Sequence, residues 1–282
     1  MARKCLVLPA RGLKTVLETP RNVVFASRDG EDTLTRRIVE EFQSDGTVSP
    51  HRFSASVYNA ATALFGVFGA GALLVSPVML LLRRPERAQP VVRTLWRVLA
   101  GLFVVTRLIR VDRGNLGAPC GAVLVANHPT LIDVVLLVAL VPRTLYVAKH
   151  ALKGNPFLAA IVRATALPDD ARLPDVAAPY LRAGWNVLVF PEGTRSPLTG
   201  GLQPLRRGAA QLAIRADAPV VCVRETLSRR ILAKGQRPWD MGTRRVVFSF
   251  RASAPLRPSA DAAFRHVAAV RLTDAIRARI AP

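Results

Sequence analysis

A histidine and an aspartate stand five residues apart in the segment Asn127-His128-Pro129-Thr130-Leu131-Ile132-Asp133. On one continuous helix, positions i and i+5 point about 140° apart, so the two side chains would not meet. Pro129 favours the first turn of a helix, which puts His128 just before the helix and Asp133 in its second turn. Asp133 then reaches one imidazole nitrogen, and the other is free to take a proton from a substrate hydroxyl. The alternative is a His and an Asp that only cap a helix.

A second polar loop reads Phe-Pro-Glu-Gly-Thr-Arg-Ser over 190–196. A glycine and backbone amides beside Arg195 suit the binding of an anion, and a guanidinium suits bidentate contacts with phosphate. We expect Glu192 either to hold Arg195 in place or to bind an acceptor hydroxyl. The alternative is an ordinary turn with a surface ion pair.

A third loop, residues 149–156, contains Lys149, His150 and Lys153 before a Gly-Asn-Pro turn. By itself this loop is typical of solvated surface charge. The three cysteines of the chain are far apart and have neither Cys-x-x-Cys nor Cys/His ligand spacing, so we predict no metal site.

All three loops follow predicted strands in a pattern of alternating strands and helices that starts near Ala118. Strands are predicted at 122–127, 144–149, 186–190, 219–223 and 245–250, and helices at 131–141, 155–164, 174–183, 205–216 and 260–280. This alternation predicts an α/β fold with a largely parallel sheet flanked by helices. Sites in such sheets lie at the carboxyl ends of the strands, so the three loops should converge.

Together the three loops resemble those of the glycerolipid acyltransferase family, which includes enzymes that acylate glycerol 3-phosphate or lysophosphatidate. The family's Asn-His-x4-Asp block matches Asn127, His128 and Asp133, and its Phe-Pro-Glu-Gly-Thr-Arg-Ser block matches residues 190–196 without a change. Lys149, Pro156 and Pro219 match further positions. The resemblance covers about residues 118–225.

The resemblance implies an O-acyltransferase in phospholipid biosynthesis, with His128 as general base and Asp133 as its orienting partner. Residues implied to bind the acceptor's phosphate and glycerol are Glu192, Gly193, Thr194, Arg195 and Lys149. The acyl donor would be a thioester of coenzyme A or acyl carrier protein, with no cofactor. The implied acceptor is a lysophospholipid such as 1-acyl-glycerol-3-phosphate.

The sequence departs from the family at one position that bears on the acceptor. Many members have an Asp-Arg after the second block, whereas this chain reads Ala-Leu-Pro-Asp-Asp over 166–170. The missing arginine leaves open an acyltransferase for a non-glycerol lipid acceptor.

The segment from Phe53 to Leu82 has no charged residue and is long enough to span a bilayer. The arginines that follow predict that its carboxyl side is cytoplasmic. Residues 93–110 are apolar but contain four arginines, which favours a helix in the membrane interface over a second spanning helix. We therefore divide the chain into an unassigned region 1–52, a membrane anchor 53–112 and an acyltransferase domain 113–282, at the cytoplasmic face of the inner or plasma membrane.

The net charge of +21, from 40 basic and 19 acidic residues, suits an anionic membrane surface. It also suits nucleic acid, and a membrane-tethered nucleic-acid-binding protein is the alternative from another class. However, no recognition-helix pattern, zinc spacing or aromatic-rich β motif accompanies the charge, so we expect membrane lipids rather than nucleic acid as partners. A member that has lost catalysis is a third reading, but the sequence gives no reason to prefer it.

Overall fold

The computed structural model describes residues 66, 76–79, 81–82, 84–155, 158–197, 201–233, 235–236, 245–258 and 265–281. The unassigned region 1–52 and most of the predicted spanning segment 53–82 lie outside these residues.

Seven short strands form one sheet in the order β1-β7-β6-β2-β5-β3-β4. The strands are β1 (Ile109–Asp112), β2 (Val123–Ala126), β3 (Thr144–Ala148), β4 (Ala166–Pro168), β5 (Asn186–Val189), β6 (Val220–Leu227) and β7 (Val246–Ala252). All neighbouring strands pair in parallel except β6 and β7, which pair antiparallel, so β1 and β7 run against the other five. The α/β class is confirmed, and the sheet is mixed.

Helices cover both faces of this sheet. They are α1 (Pro85–Val105), α2 (Asp133–Leu140), α3 (Ala159–Thr165), α4 (Leu173–Arg182), α5 (Gly208–Ala216) and α6 (Arg265–Ile280), and a 3₁₀ helix spans His150–Gly154. Because successive strand residues point to opposite faces, Val123, Val125 and Val187 pack with α4, α5 and α6 in one buried cluster. On the other face, α1 packs against α2, α3 and β1.

Helix α1 corrects the prediction for residues 93–110. The helix ends at Val105, and Arg107 has a left-handed backbone with φ 57°. Arg110 lies in β1, which pairs with β7 and so cannot continue the helix. By length and composition α1 is apolar enough to cross a membrane, but half of its most apolar window is buried against the domain.

The parallel part of the sheet brings the three polar loops to one edge. Strands β2, β5 and β3 are neighbours that run in the same direction, so the segments after Ala126, Val189 and Ala148 leave from a common edge. Strand β6 also ends at this edge, on the other side of β2. The site is therefore built on carboxyl ends of parallel strands.

Candidate active site

His128 and Asp133 are in direct contact at this edge. Nδ1 of His128 lies 2.9 Å from Oδ2 of Asp133. An ionised carboxylate only accepts hydrogen bonds, so Nδ1 carries the proton and Nε2 is the basic nitrogen. The imidazole stacks on the Phe190 ring with centroids 4.2 Å apart. Its side chain is 17% exposed while that of Asp133 is fully buried, so the base is accessible and its partner is not.

Helix α2 begins at Asp133, whereas Pro129 predicts a helix that begins four residues earlier. The amide of Thr130 donates to Oδ2 at 2.8 Å, and the Thr130 hydroxyl donates to Oδ1. These bonds hold residues 130–132 in a turn because they compete with helical hydrogen bonding. The positive end of the α2 dipole also stabilises the Asp133 carboxylate.

Asn127 ties the loop 127–133, called the catalytic loop for its candidate residues His128 and Asp133, to β6. Its amide nitrogen donates to the carbonyl of Glu225 at 2.8 Å, and its amide oxygen accepts from the backbone N–H of Glu225 at 2.7 Å. The side chain thereby takes the place of a backbone partner and continues the pairing of β2 with β6 beyond Ala126. His128, the next residue, is fixed in position.

Glu192 joins the catalytic loop to the loop after β5. It is buried, and its Oε1 accepts from the amide of His128 at 3.1 Å and from the hydroxyl of Ser196 at 2.8 Å. Its Oε2 accepts from the amide of Gln203 at 2.9 Å. In return, the Ser196 amide donates to the carbonyl of His128 at 2.7 Å. Glu192 therefore orders the two loops instead of holding Arg195.

Arg195 contacts backbone carbonyls that follow β6. Its Nη1 donates to the carbonyl of Leu232 at 2.7 Å and to that of Ala233 at 3.0 Å. The expected neighbour Glu192 is not among these acceptors. One nitrogen of the guanidinium is thus committed to holding the chain after β6.

The other implied substrate-binding residues lie at the same edge. Gly193 has φ +63°, a left-handed backbone conformation that glycine adopts without strain. Its amide donates to the carbonyl of Phe190 in a turn. Thr194 is half-buried beside it, and Lys149 is exposed where β3 ends.

Glu225 is a buried acid that lies outside all three sequence motifs. Its side chain is nearly inaccessible, and neither carboxyl oxygen has a hydrogen-bond partner of ordinary geometry in the described chain. Burial raises the pKa of this carboxyl well above its usual value, and the neighbouring Asp133 carboxylate raises the pKa further. Asp133 has hydrogen-bond donors in Thr130, whereas the buried Glu225 carboxyl has none among the described residues. Glu225 therefore keeps its proton to a higher pH than an ordinary glutamate.

A family model described as Acyltransferase matches residues 108–225, which contain both catalytic-loop residues and the loop after β5. By this match the segment, which is less than half of the chain, is an acyltransferase domain. A second model, described as Beta-ketoacyl synthase, N-terminal domain, matches residues 12–76. That match overlaps the predicted anchor 53–112 as well as the region 1–52, so the apolar composition of 53–76 has two competing explanations.

Curated relatives match part of the chain. The 1-acyl-sn-glycerol-3-phosphate acyltransferase of Cocos nucifera is 30% identical over 110 residues, 36% of this chain and 35% of that protein. The Homo sapiens 1-acyl-sn-glycerol-3-phosphate acyltransferase alpha is 31% identical over 130 residues, 43% of this chain and 46% of that protein. The chain therefore spans less than half the length of these relatives.

The acyltransferase domain also has the fold of a solved relative. The crystal structure of the 1-acyl-sn-glycerophosphate acyltransferase PlsC from Thermotoga maritima matches with a TM-score of 0.54 over 79% of this chain and 94% of that chain. The sequence identity is 19%, so this likeness concerns the fold alone.

Proposed function

We propose that the chain is an O-acyltransferase that moves a fatty acyl group from a thioester to a hydroxyl of a lysophospholipid-like acceptor. Nε2 of His128 takes the proton of the acceptor hydroxyl as the oxygen attacks the thioester carbonyl. The new C–O bond forms, the C–S bond breaks, and the proton passes from His128 to the departing thiolate. Asp133 fixes the tautomer and stabilises the imidazolium that forms in between.

The observation that carries this proposal is the 2.9 Å contact between His128 Nδ1 and Asp133 Oδ2 within an acyltransferase domain. The imidazole of His128 is hydrogen-bonded to an orienting carboxylate, and among the described residues no serine or cysteine side chain is seen to hydrogen-bond it, since the Ser196 hydroxyl donates to Glu192. That arrangement suits a reaction in which the substrate itself supplies the nucleophile.

We favour 1-acyl-glycerol-3-phosphate as the acceptor, because both curated relatives carry the name of an enzyme for that substrate. Coenzyme A and acyl carrier protein thioesters are both candidate donors. An acceptor without glycerol is the alternative, since Asp169 and Asp170 stand where many family members have Asp-Arg.

We further propose that the enzyme works at the cytoplasmic face of a membrane. Helix α1 leaves an apolar stripe exposed at Val91, Val98, Leu102 and Val105, and Leu131 of the catalytic loop is also 45% exposed. These side chains suit insertion into the acyl boundary of a bilayer, and the net charge of +21 suits anionic lipid headgroups.

Purified chain incubated with labelled acyl thioesters and a panel of lysolipids tests the transfer. We expect an acylated product with the unsubstituted chain and none with His128→Ala. The matched control is His150→Ala, since His150 is an exposed histidine near the same edge. Loss of product in both variants, or in neither, would contradict the role of His128.

A further inference from the structure

A cavity of about 160 Å³ lies beside the catalytic loop. Its wall comes from three segments of the chain: the catalytic loop, the loop after β5, and the end of β6 with the residues that follow. Residues of these segments that matter here are Asn127, Pro129, Ser196, Glu225, Thr226 and Arg230. Pockets for drug-sized ligands run from about 300 to 1,000 Å³, so this cavity suits a small headgroup and not a whole coenzyme.

Arg230 supplies the cavity wall with an unsatisfied cationic donor. In the part of the chain that the structure describes, its Nη1 is buried and has no hydrogen-bond partner. A buried donor without a partner is costly, and a guanidinium is matched best by a phosphate or carboxylate. Because Arg230 also lines the cavity, an anion bound there is the partner that this guanidinium lacks.

Arg195 fixes the segment that carries Arg230. Its bonds to the carbonyls of Leu232 and Ala233 hold residues two and three positions beyond Arg230. Both residues are buried, so this segment is anchored at the wall of the cavity. Arg195, the arginine that the sequence assigns to phosphate, is thus a positioning residue for a second arginine outside the matched segment 108–225.

Glu225 also lines the cavity, and an ionised carboxylate there would repel an anion. Its carboxyl is buried beside the Asp133 carboxylate, and burial raises its pKa well above the usual value. The wall is then neutral at Glu225 and cationic at Arg230. A protonated carboxyl can also donate a hydrogen bond to an anionic oxygen.

We propose that this cavity binds the phosphate-bearing headgroup of the acceptor and that Arg230 is the residue that holds the phosphate. The inference rests on the acyl transfer proposed above. The cavity shares its wall with the catalytic loop through Asn127 and Pro129, so a phosphate at Arg230 tethers the acceptor beside His128. Coenzyme A also contains phosphates, and the experiment must separate the two sources.

Steady-state kinetics with each substrate varied in turn makes that separation. Arg230→Ala should raise the Michaelis constant for 1-acyl-glycerol-3-phosphate by about ten- to a hundredfold and hardly change that for a monoacylglycerol. The constant for the acyl-CoA should not move. Arg230→Lys keeps the charge without the fork and should recover part of the loss. Arg224→Ala is the control, because Arg224 donates to the carbonyl of Arg279 away from the cavity.

Two kinetic outcomes overturn the assignment. If Arg230→Ala raises the Michaelis constants for acceptors with and without phosphate equally, the cavity does not bind the phosphate. If only the Michaelis constant for the acyl-CoA rises, Arg230 belongs to the binding site of the acyl donor.

Direct binding of glycerol 3-phosphate, measured by calorimetry on the full chain, separates this inference from the proposed reaction. The unsubstituted chain, His128→Ala and Arg224→Ala should bind alike, and Arg230→Ala should bind at least about tenfold more weakly. Equal binding by Arg230→Ala overturns the inference whatever the transfer assay gives. If Arg230→Ala loses binding but the unsubstituted chain transfers no acyl group, the anion site is supported and the proposed reaction is rejected. Arg230→Gln, which retains the volume of the side chain, replaces the alanine variant if thermal unfolding shows that variant to be unfolded.

Discussion

The Asn127 side chain and the Glu225 backbone exchange two hydrogen bonds, of 2.8 and 2.7 Å. A second pair, Asn115 and Ala252, exchanges two bonds of 2.8 Å in an exposed position where β1 and β7 end. The same chemistry therefore occurs twice, once beside His128 and once at the exposed end of β7.

Asn127→Ala should lower the free energy of unfolding by about 1–3 kcal/mol, because two buried backbone groups of Glu225 lose their partners. It should also lower turnover, since the residue next to it is His128. Asn115→Ala is the matched control and should cost less stability, because water replaces its exposed bonds. Denaturant unfolding and an acyl-transfer assay measure the two effects. Equal losses of turnover in both variants would contradict the proposed link between Asn127 and the catalytic loop.

Asp133→Asn should lower turnover by about 10² to 10⁴-fold with both Michaelis constants nearly unchanged. The amide keeps the shape of the side chain but does not stabilise an imidazolium. Steady-state kinetics beside Asp175→Asn, an exposed acid on α4, measures the effect. A change confined to the Michaelis constants would instead indicate a binding role for Asp133.

Glu225→Gln should be more stable than the unsubstituted chain, by an amount that increases with pH. The pKa of Glu225 is higher in the folded chain than its usual value, so its stabilising contribution is complete below that usual value. The contribution is lost as the pH rises toward the folded-state pKa, because the unfolded chain gives up the proton first. The difference in melting temperature between Glu225→Gln and the unsubstituted chain should therefore grow with pH above about 4.5.

The exposed residue Glu86 provides the comparison for this measurement. Glu86→Gln should leave the pH dependence of the melting temperature as it is in the unsubstituted chain. A constant offset for Glu225→Gln at every pH would mean that the pKa of Glu225 is the same in the folded and unfolded chains.

Arg195→Ala should loosen the chain after β6, because the carbonyls of Leu232 and Ala233 lose their donor. We expect faster hydrogen exchange of amides in 229–233 and a higher Michaelis constant for a phosphate-bearing acceptor. Arg230→Ala should raise that constant without the faster exchange. If the amides exchange at identical rates in the two variants, Arg195 does not position Arg230.

Charged substitutions on α1 test the membrane proposal. Val98→Asp with Leu102→Asp should reduce sedimentation of the chain with anionic lipid vesicles, because both side chains belong to the exposed stripe. The control is Val176→Asp with Val267→Asp, two valines that are similarly exposed on other helices. If both double variants sediment equally with the vesicles, α1 does not contact the membrane surface.

Local patterns were enough to predict most of the strands and helices, but the strands that depend on distant partners were missed. Strand β1 alternates apolar residues with arginine and aspartate, and it exists because Ile109 pairs with Val246 far along the chain. Strand β4 has three residues and ends in Pro168 at the sheet edge, too short for an alternating signal. The reversal of β7 has no local signature, because a strand of either direction has the same alternation.

The candidate site shows the same division between local and distant contacts. The contact of His128 with Asp133 spans five residues, and the loop chemistry is sufficient to predict it. The acceptors of Arg195 lie 37 and 38 residues away, and nothing in the motif indicates them. Glu225 had a usable signal, because it follows the apolar run Val-Val-Cys-Val after one arginine, and an acid so close to a buried strand needs a partner.

The antiparallel pairing of β6 and β7 has a consequence for how such an enzyme diversifies. In a crossover between parallel strands the chain must travel the length of the sheet, whereas the connection 228–245 departs and returns at one edge. Arg230 lies in this connection. The connection can therefore vary outside its buried residues Leu232 and Ala233 without changing the strand order, so substrate preference and scaffold are inherited separately. Exchanging 228–245 between relatives is accordingly a direct route to altered lipid selectivity.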